Sequence, residues 1–302
     1  MRAAPSLQSI PEVIFETPMA AKAVAPIPPP VVEAEPGAMH LPGLDADEQS
    51  AVALAVEVLG DRALHAVGGH RLPVGFKVSV LMPVYNECGT IEEILRRVRA
   101  VPLPLEIIVV DDFSTDGTRQ MLREMPPCAN VRVLFHEHNQ GKGAAVRTAL
   151  AAATGDVVLI QDADLEYDPR EYARLIEPIV AGWADVVYGS RFLGNGPGHP
   201  LFWHRQANRL LTLLSNWFTG LRITDMETCH KVFCREALEG ISIQQDRFGL
   251  EPELTAKIAR KRCRVVELPT SYQGRATSEG KKIGLKDAFN ALWCIVRYSL
   301  AE

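Results

Sequence analysis

Asp162 and Asp164 flank a single alanine directly after the apolar run Asp156–Ile160 (DVVLI). Two carboxylates at a strand end offer hard oxygen ligands. Mg²⁺ or Mn²⁺ is held in this way, through one or two carboxylates plus substrate phosphates. A D-x-D triplet also serves as a cap or turn, and Asp168-Pro169 stands just beyond. The preceding strand and a second acidic pair, Asp111-Asp112 after Glu106–Val110 (EIIVV), favour the metal-and-phosphate reading. Spacing excludes three others. Asp112-x-Ser114-x-Asp116-Gly117 opens like a calcium loop, but its twelfth position is Arg123. Gly141-Lys142 has His136 where a phosphate loop needs its first glycine. An acidic pair after a strand also suits a phospho-acceptor receiver domain, which would be about half this length.

The elements that must position these residues alternate between strand and helix. Lys77–Pro83, Glu106–Val110, Val131–His136 and Asp156–Ile160 read as strands. Glu87–Ala100, Asp116–Met125 and Lys142–Ala153 read as helices. Continuous apolar strands separated by helices predict a parallel sheet covered on both faces. Such sheets bind ligands at the carboxyl ends of their strands. The polar clusters Pro83–Glu87, Asp111–Gly117 and Asp162–Glu166 fall there. Further on, Ala184–Tyr188, Leu221–Thr224, Val265–Leu268 and Ser271-Tyr272 suggest strand segments. The stretch 201–221 predicts one or two amphipathic helices, and Leu285–Leu300 a closing helix.

The chain has 302 residues and a net charge of −5, so no global basic charge points to nucleic acid. No apolar run reaches the ~18 residues of a membrane span. The first residues hold no apolar stretch of the ~7–15 residues that a secretory leader needs. Six scattered cysteines without C-x-x-C spacing read as reduced thiols in a cytoplasmic protein. Residues 1–44 are proline-rich and predict a disordered arm; 45–76 a short helical extension or linker; 77–302 the catalytic body. Residues 256–286 carry nine Lys/Arg against two Asp/Glu, a local excess that suits an anionic partner or a solvated face.

Val78–Glu87 (VSVLMPVYNE), Val109–Thr118 (VVDDFSTDGT), Asn139–Ala145 (NQGKGAA), Gln161–Glu166 (QDADLE) and Gly189–Arg191 (GSR) occur in order. Together they resemble the family 2 glycosyltransferases, and among these the polyprenol (dolichol) phosphate mannosyl- and glucosyltransferases. Thr224–Phe233, Phe248–Leu254 and Glu267–Lys282 are similar to the same group. The resemblance implies an α/β fold of the GT-A type, with a mostly parallel central sheet and helices on both faces. It implies that Pro83, Tyr85 and Glu87 line the base and ribose of a nucleotide sugar. Val110 and Asp112 would continue that pocket, with Asp112 facing the base. It implies that Asp162, Ala163 and Asp164 bind the diphosphate and a Mg²⁺ or Mn²⁺ ion; Glu166, where the family often has glutamine, would be a third ligand or would alter the choice of metal. Arg191, Arg275 and Lys281 match basic positions that hold donor or acceptor phosphates. Glu251 departs from the pattern, because lipid-phosphate transferases can carry a basic residue there.

The expected reaction is an inverting transfer of a hexose from a nucleotide sugar of the GDP-mannose or UDP-glucose type to polyprenyl phosphate. A lipid phosphate is already an anion and needs no strong base. A sugar hydroxyl acceptor, as in cell-surface polysaccharide synthesis, would need a carboxylate, and Asp225, Glu227 and Glu253 are the candidates. A sugar-phosphate nucleotidyltransferase would need a G-x-G-T-R loop where Pro83–Glu87 stands. Trp and Phe beside Arg in 201–221, and the wide apolar face of 285–300, suit either peripheral contact with the cytoplasmic membrane face or simple cover for the sheet.

Overall fold

The computed structural model describes residues 39–40, 70–73, 75–193, 202–274 and 285–300. The expected arm and extension lie outside the described residues, apart from a two-residue antiparallel pairing of Met39–His40 with His70–Arg71 and the lead-in to the first strand.

The body is built on β1 (Val78–Val84), α1 (Ile91–Arg99), β2 (Leu105–Asp111), α2 (Thr118–Glu124), β3 (Val131–Phe135), α3 (Lys142–Ala152) and β4 (Val157–Ile160). After a 3₁₀ turn at Pro169–Glu171 come α4 (Tyr172–Val180), β5 (Val186–Ser190), α5 (Phe202–Thr219), β6 (Lys231–Cys234), α6 (Arg235–Leu238), α7 (Leu250–Arg260), β7 (Val265–Pro269) and α8 (Leu285–Leu300). One seven-stranded sheet runs β3-β2-β1-β4-β6-β5-β7. Every neighbouring pair is parallel except those made by β6, which runs against both β4 and β5.

Alternation along the strands divides the core in two. Val78, Val80, Met82 and Val84 of β1 pack with Ile94, Val98, Leu122 and Leu175 of α1, α2 and α4. Leu81 faces the other way with Val110, Ile160, Ala145, Ala149, Leu254 and Ile295, under α3, α7 and α8. A sheet buried on both faces explains why its strands read as unbroken apolar runs.

Three expectations are corrected. Leu221–Thr224 is not a strand: the Asn216 side chain takes both backbone groups of Ile223, and Glu267 takes the Thr224 amide. Ser271-Tyr272 lies beyond β7, where the Gln273 amide turns to the Glu166 carbonyl. In the described part of the basic stretch, Lys257, Lys261 and Arg264 are committed within the chain, while Arg260 and Arg262 are exposed. Lys261 caps the carbonyls of Glu236, Ala237 and Glu239, and Arg264 grips Asp185.

Candidate active site

The strand order turns back between β1 and β4, so their carboxyl ends open the crevice where α/β sheets take ligands. Three non-glycine residues in the left-handed region stand at these ends: Asn86 after β1 (φ 56°), Phe113 after β2 (φ 64°) and Leu165 after β4 (φ 62°). Backbone of this kind persists where the surroundings fix it, and such positions gather at functional sites. Here the fixing is visible. Asn86 accepts from the Thr115 amide, and Asp116 accepts from the Cys88 and Thr118 amides, tying the first two loops together. Burial works against the Asp116 carboxylate, but these hydrogen bonds hold it down at about 2.

Tyr85 and Phe113 present exposed rings on those two loops. Phe113, which sequence reasoning passed over, lies against the Arg119 guanidinium. Pro83 lies within β1, and Glu87 accepts from the Thr90 hydroxyl at the head of α1. The Val110 side chain is fully buried in the core, which leaves its backbone as the part that could meet a ligand. Asp112 is also placed differently from a base-facing residue. Its Oδ1 accepts from the Gln140 amide at 2.8 Å and meets His136 Nδ1 at 2.7 Å, and its Oδ2 accepts from the Gly141 amide at 2.7 Å. It holds the loop that leads into α3.

That loop delivers Lys142. Gly141 (φ 103°) and Gly143 lie so close to residues 245 and 246 that a Cβ would stand 2.3 Å from the Asp246 carbonyl oxygen and 2.0 Å from that of Gln245. The Lys142 ammonium lies 3.0 Å from Asp162 Oδ1, 3.1 Å from Asp162 Oδ2 and 3.1 Å from Glu251 Oε1, and donates to Cys229 Sγ at 2.9 Å. The sequence quotes Lys142 only within a glycine motif. Its partners lie 20 to 109 positions away, so no local signal marks it as a site residue.

Ala163 is buried, and Asp164 accepts from the Glu166 amide. Glu166 accepts from the Tyr272 hydroxyl at 3.0 Å. Among the described residues no three His, Cys, Asp or Glu side chains gather as a metal cage. Asp162 and Asp164, with a cationic ammonium already seated on Asp162, therefore fit a divalent ion that takes its other oxygens from a diphosphate and water.

The expected bases are largely engaged. Asp225 is fully buried and accepts from Arg191 Nε and Nη2 at 2.7 Å each, from the Arg191 amide and from Asn208. Burial opposes its charge, but the Arg191 guanidinium and these bonds hold the carboxyl below its usual range. Glu253 accepts from the Gln244 and Gln245 amides and pairs with Lys257. Both carboxylates are thus engaged by partners within the chain. Glu227 differs. Burial, then the nearby Glu251 charge, pushes its carboxyl up to about 8, and its Oε1 is buried without a partner among the described residues. Arg275 and Lys281 lie outside the described residues.

The model of Glycosyl transferase family 2 matches residues 79–242, more than half of the chain. The chain belongs to this family. It is 31% identical over 226 residues to a dolichol-phosphate mannosyltransferase of Pyrococcus furiosus, covering 73% of this chain and 63% of that protein. It is 33% identical over 211 residues to an undecaprenyl-phosphate 4-deoxy-4-formamido-L-arabinose transferase of Pseudomonas paraeruginosa, covering 68% and 60%. The chain thus spans less than two thirds of the length of these relatives. Among solved structures it is similar to glucosyl-3-phosphoglycerate synthase of Mycobacterium tuberculosis in complex with Mn²⁺, UDP and phosphoglyceric acid. That match has a TM-score of 0.58 and 20% identity and covers 75% of this chain and 79% of that one. The fold of this family 2 chain is the GT-A fold that the resemblance implied.

Proposed function

We propose that this family 2 chain is an inverting hexosyltransferase that moves a sugar from a UDP- or GDP-sugar to a polyprenyl phosphate. The observation that carries this reading is the pairing of Lys142 with Asp162 at the end of β4, two residues before Asp164, with the exposed rings of Tyr85 and Phe113 following the neighbouring parallel strands β1 and β2. The rings suit a nucleobase and the charged cluster suits a diphosphate. Asp162 and Asp164 would hold Mg²⁺ or Mn²⁺, which supplies Lewis acidity for the departing diphosphate. The acceptor oxygen attacks the anomeric carbon from the far side. A new carbon–oxygen bond forms as the bond to the diphosphate breaks, and the configuration inverts. Engagement of Asp225 by Arg191 and of Glu253 by two amides supports an acceptor that arrives ionised. The names of the two curated relatives support a polyprenyl phosphate. Arg275 and Lys281 are proposed to bind its phosphate.

The face made by α5 and α8 is proposed to lie on a lipid surface. The two helices pack together, and Leu210, Leu213 and Trp217 of the first and Phe289, Trp293 and Leu300 of the second are exposed. No helix among the described residues is long and apolar enough to cross a membrane. An amphipathic face resting in the interface is the geometry that remains for these side chains.

A second reading rests on Glu227, whose partnerless oxygen and raised pKa suit a general base for a hydroxyl acceptor. A donor screen decides. Nucleotide release from UDP-glucose and GDP-mannose is measured with Mn²⁺ or Mg²⁺, with and without polyprenyl phosphate. Release stimulated by the lipid phosphate supports the first reading. Release stimulated only by oligosaccharide supports the second. No release from any pairing overturns both.

A further inference from the structure

Lys142 occupies an unusual place for a cation. Its nitrogen lies within 3.1 Å of both oxygens of Asp162 and of Glu251 Oε1, and its side chain is 9% exposed. An ammonium and a divalent ion drawn to the same Asp162 oxygens repel each other at short range, so each weakens the hold of the other. Glu251 has spare capacity: its Oε2 is buried and has no hydrogen-bond partner among the described residues. A lysine stem has four rotatable bonds and three donors. Glu251 Oε1 already lies 3.1 Å from the ammonium, so a second carboxylate stands beside it to receive the charge.

We propose that Asp162 exchanges cations. In the free protein the Lys142 ammonium neutralises it, and Glu251 receives that ammonium when a divalent ion arrives with the donor diphosphate. Lys142 and Glu251 are thus positioning residues for the nucleotide-sugar reaction, and the inference rests on the metal-and-diphosphate reading given above. The loop geometry serves this exchange. Asp112 fixes Gln140 and Gly141, and Glu253 fixes the 244–245 backbone that Gly143 abuts. The Lys142 backbone is held while its long side chain is left to move. The consequence is an order of binding. Metal alone competes with an internal ammonium and binds weakly, whereas metal with diphosphate brings enough new contacts to displace it.

The test measures Mn²⁺ binding to the full chain by electron paramagnetic resonance, without nucleotide and with saturating UDP or GDP. In Lys142→Met, Mn²⁺ affinity of the nucleotide-free protein should rise by about tenfold or more, the value of a lost charge-assisted contact. The enhancement of Mn²⁺ binding by nucleotide should shrink. In Glu251→Gln the displaced ammonium has a poorer refuge, so Mn²⁺ affinity should fall in both states. Opposite signs in the two variants separate exchange from general loosening of the site, which would weaken binding in both. Unchanged or weaker Mn²⁺ binding in Lys142→Met, with normal nucleotide-enhanced binding in the wild type, overturns the exchange alone. Absence of Mn²⁺ binding to the wild type even with UDP and GDP overturns the metal reading and the exchange together.

Discussion

Arg191 meets Asp225 edge to edge, with Nε 2.7 Å from Oδ2 and Nη2 2.7 Å from Oδ1. The pair joins the end of β5 to the segment before β6, and Asp225 has no exposed surface. Removing one partner of a buried pair leaves the other charge without compensation. Asp225→Asn is therefore expected to cost about 3–5 kcal/mol of stability. Chemical denaturation measures this. A variant with wild-type stability and no turnover would return Asp225 to the role of a catalytic base.

Asp164→Asn is expected to behave in the opposite way. Its hydrogen bond to the Glu166 amide is 3.2 Å long and bridges only two residues of one turn. Transfer should fall at least about a hundredfold, since a metal ion supplies several kcal/mol to such a transition state. The melting temperature should stay close to that of the wild type. Full turnover in limiting Mn²⁺ would remove Asp164 from the metal site.

Glu227 sets a pH dependence. Its carboxyl titrates at an ordinary 4.5 when unfolded and at about 8 when folded. Between those values the folded chain keeps a proton that the unfolded chain has lost. The stability contributed by this group is thus complete below pH 4.5 and lost as pH rises through 8. Glu227→Gln cannot ionise, so its melting temperature relative to wild type should climb from pH 5 to about pH 8 and then level off. A constant difference across that range would show that Glu227 is already ionised in the folded protein.

Gly143→Ala tests the loop that carries Lys142. The added Cβ would lie 2.0 Å from the carbonyl oxygen of Gln245, a residue whose amide N–H donates to Glu253. Overpacking of this kind is expected to cost about 1–3 kcal/mol. Calorimetric titration should also show weaker UDP or GDP binding, because Lys142 is carried on the displaced turn. Unaltered stability and nucleotide affinity would mean that the two segments part without consequence.

The lipid-facing reading of α5 and α8 is tested by the double variant Leu213→Gln, Trp217→Gln. Both side chains are mostly exposed, at 66% and 77%, so folding should be unaffected. Sedimentation with anionic lipid vesicles should fall severalfold, each large apolar side chain withdrawn from the interface being worth about 1.5–3 kcal/mol. Equal sedimentation of variant and wild type would place these side chains elsewhere.

What the sequence made legible follows from burial. β1, β2 and β4 are enclosed on both faces, so each reads as an apolar run, and the acidic clusters after them mark the ligand end of the sheet. The α8 boundaries, Leu285 and Leu300, are as read because the apolar spacing persists over the whole helix. β6 escaped notice because it has only four residues and begins with Lys231, whose buried ammonium donates to the carbonyls of Met226 and Thr228. Residue type named Asp225 and Glu253 as acids, but their roles depend on Arg191 and on two backbone amides that spacing cannot reveal. Lys142, Cys229 and Glu251 come from three distant stretches and meet only in the fold.

The reversed strand β6 also governs when the sheet can be completed. The half formed by β3, β2, β1 and β4 is encoded by residues 78–160 and can pair as soon as these have been synthesised. β5 follows at 186–190, but its sheet partners are β6 and β7, made some 40 residues or more later. Until β6 slots between them, both β4 and β5 present bare hydrogen-bonding edges, the kind of surface that recruits other chains. A ribosome stalled after residue 224 would thus carry a nascent chain with its first half-sheet formed and two open strands. This interval is where chaperone binding or misassociation during synthesis is expected to concentrate.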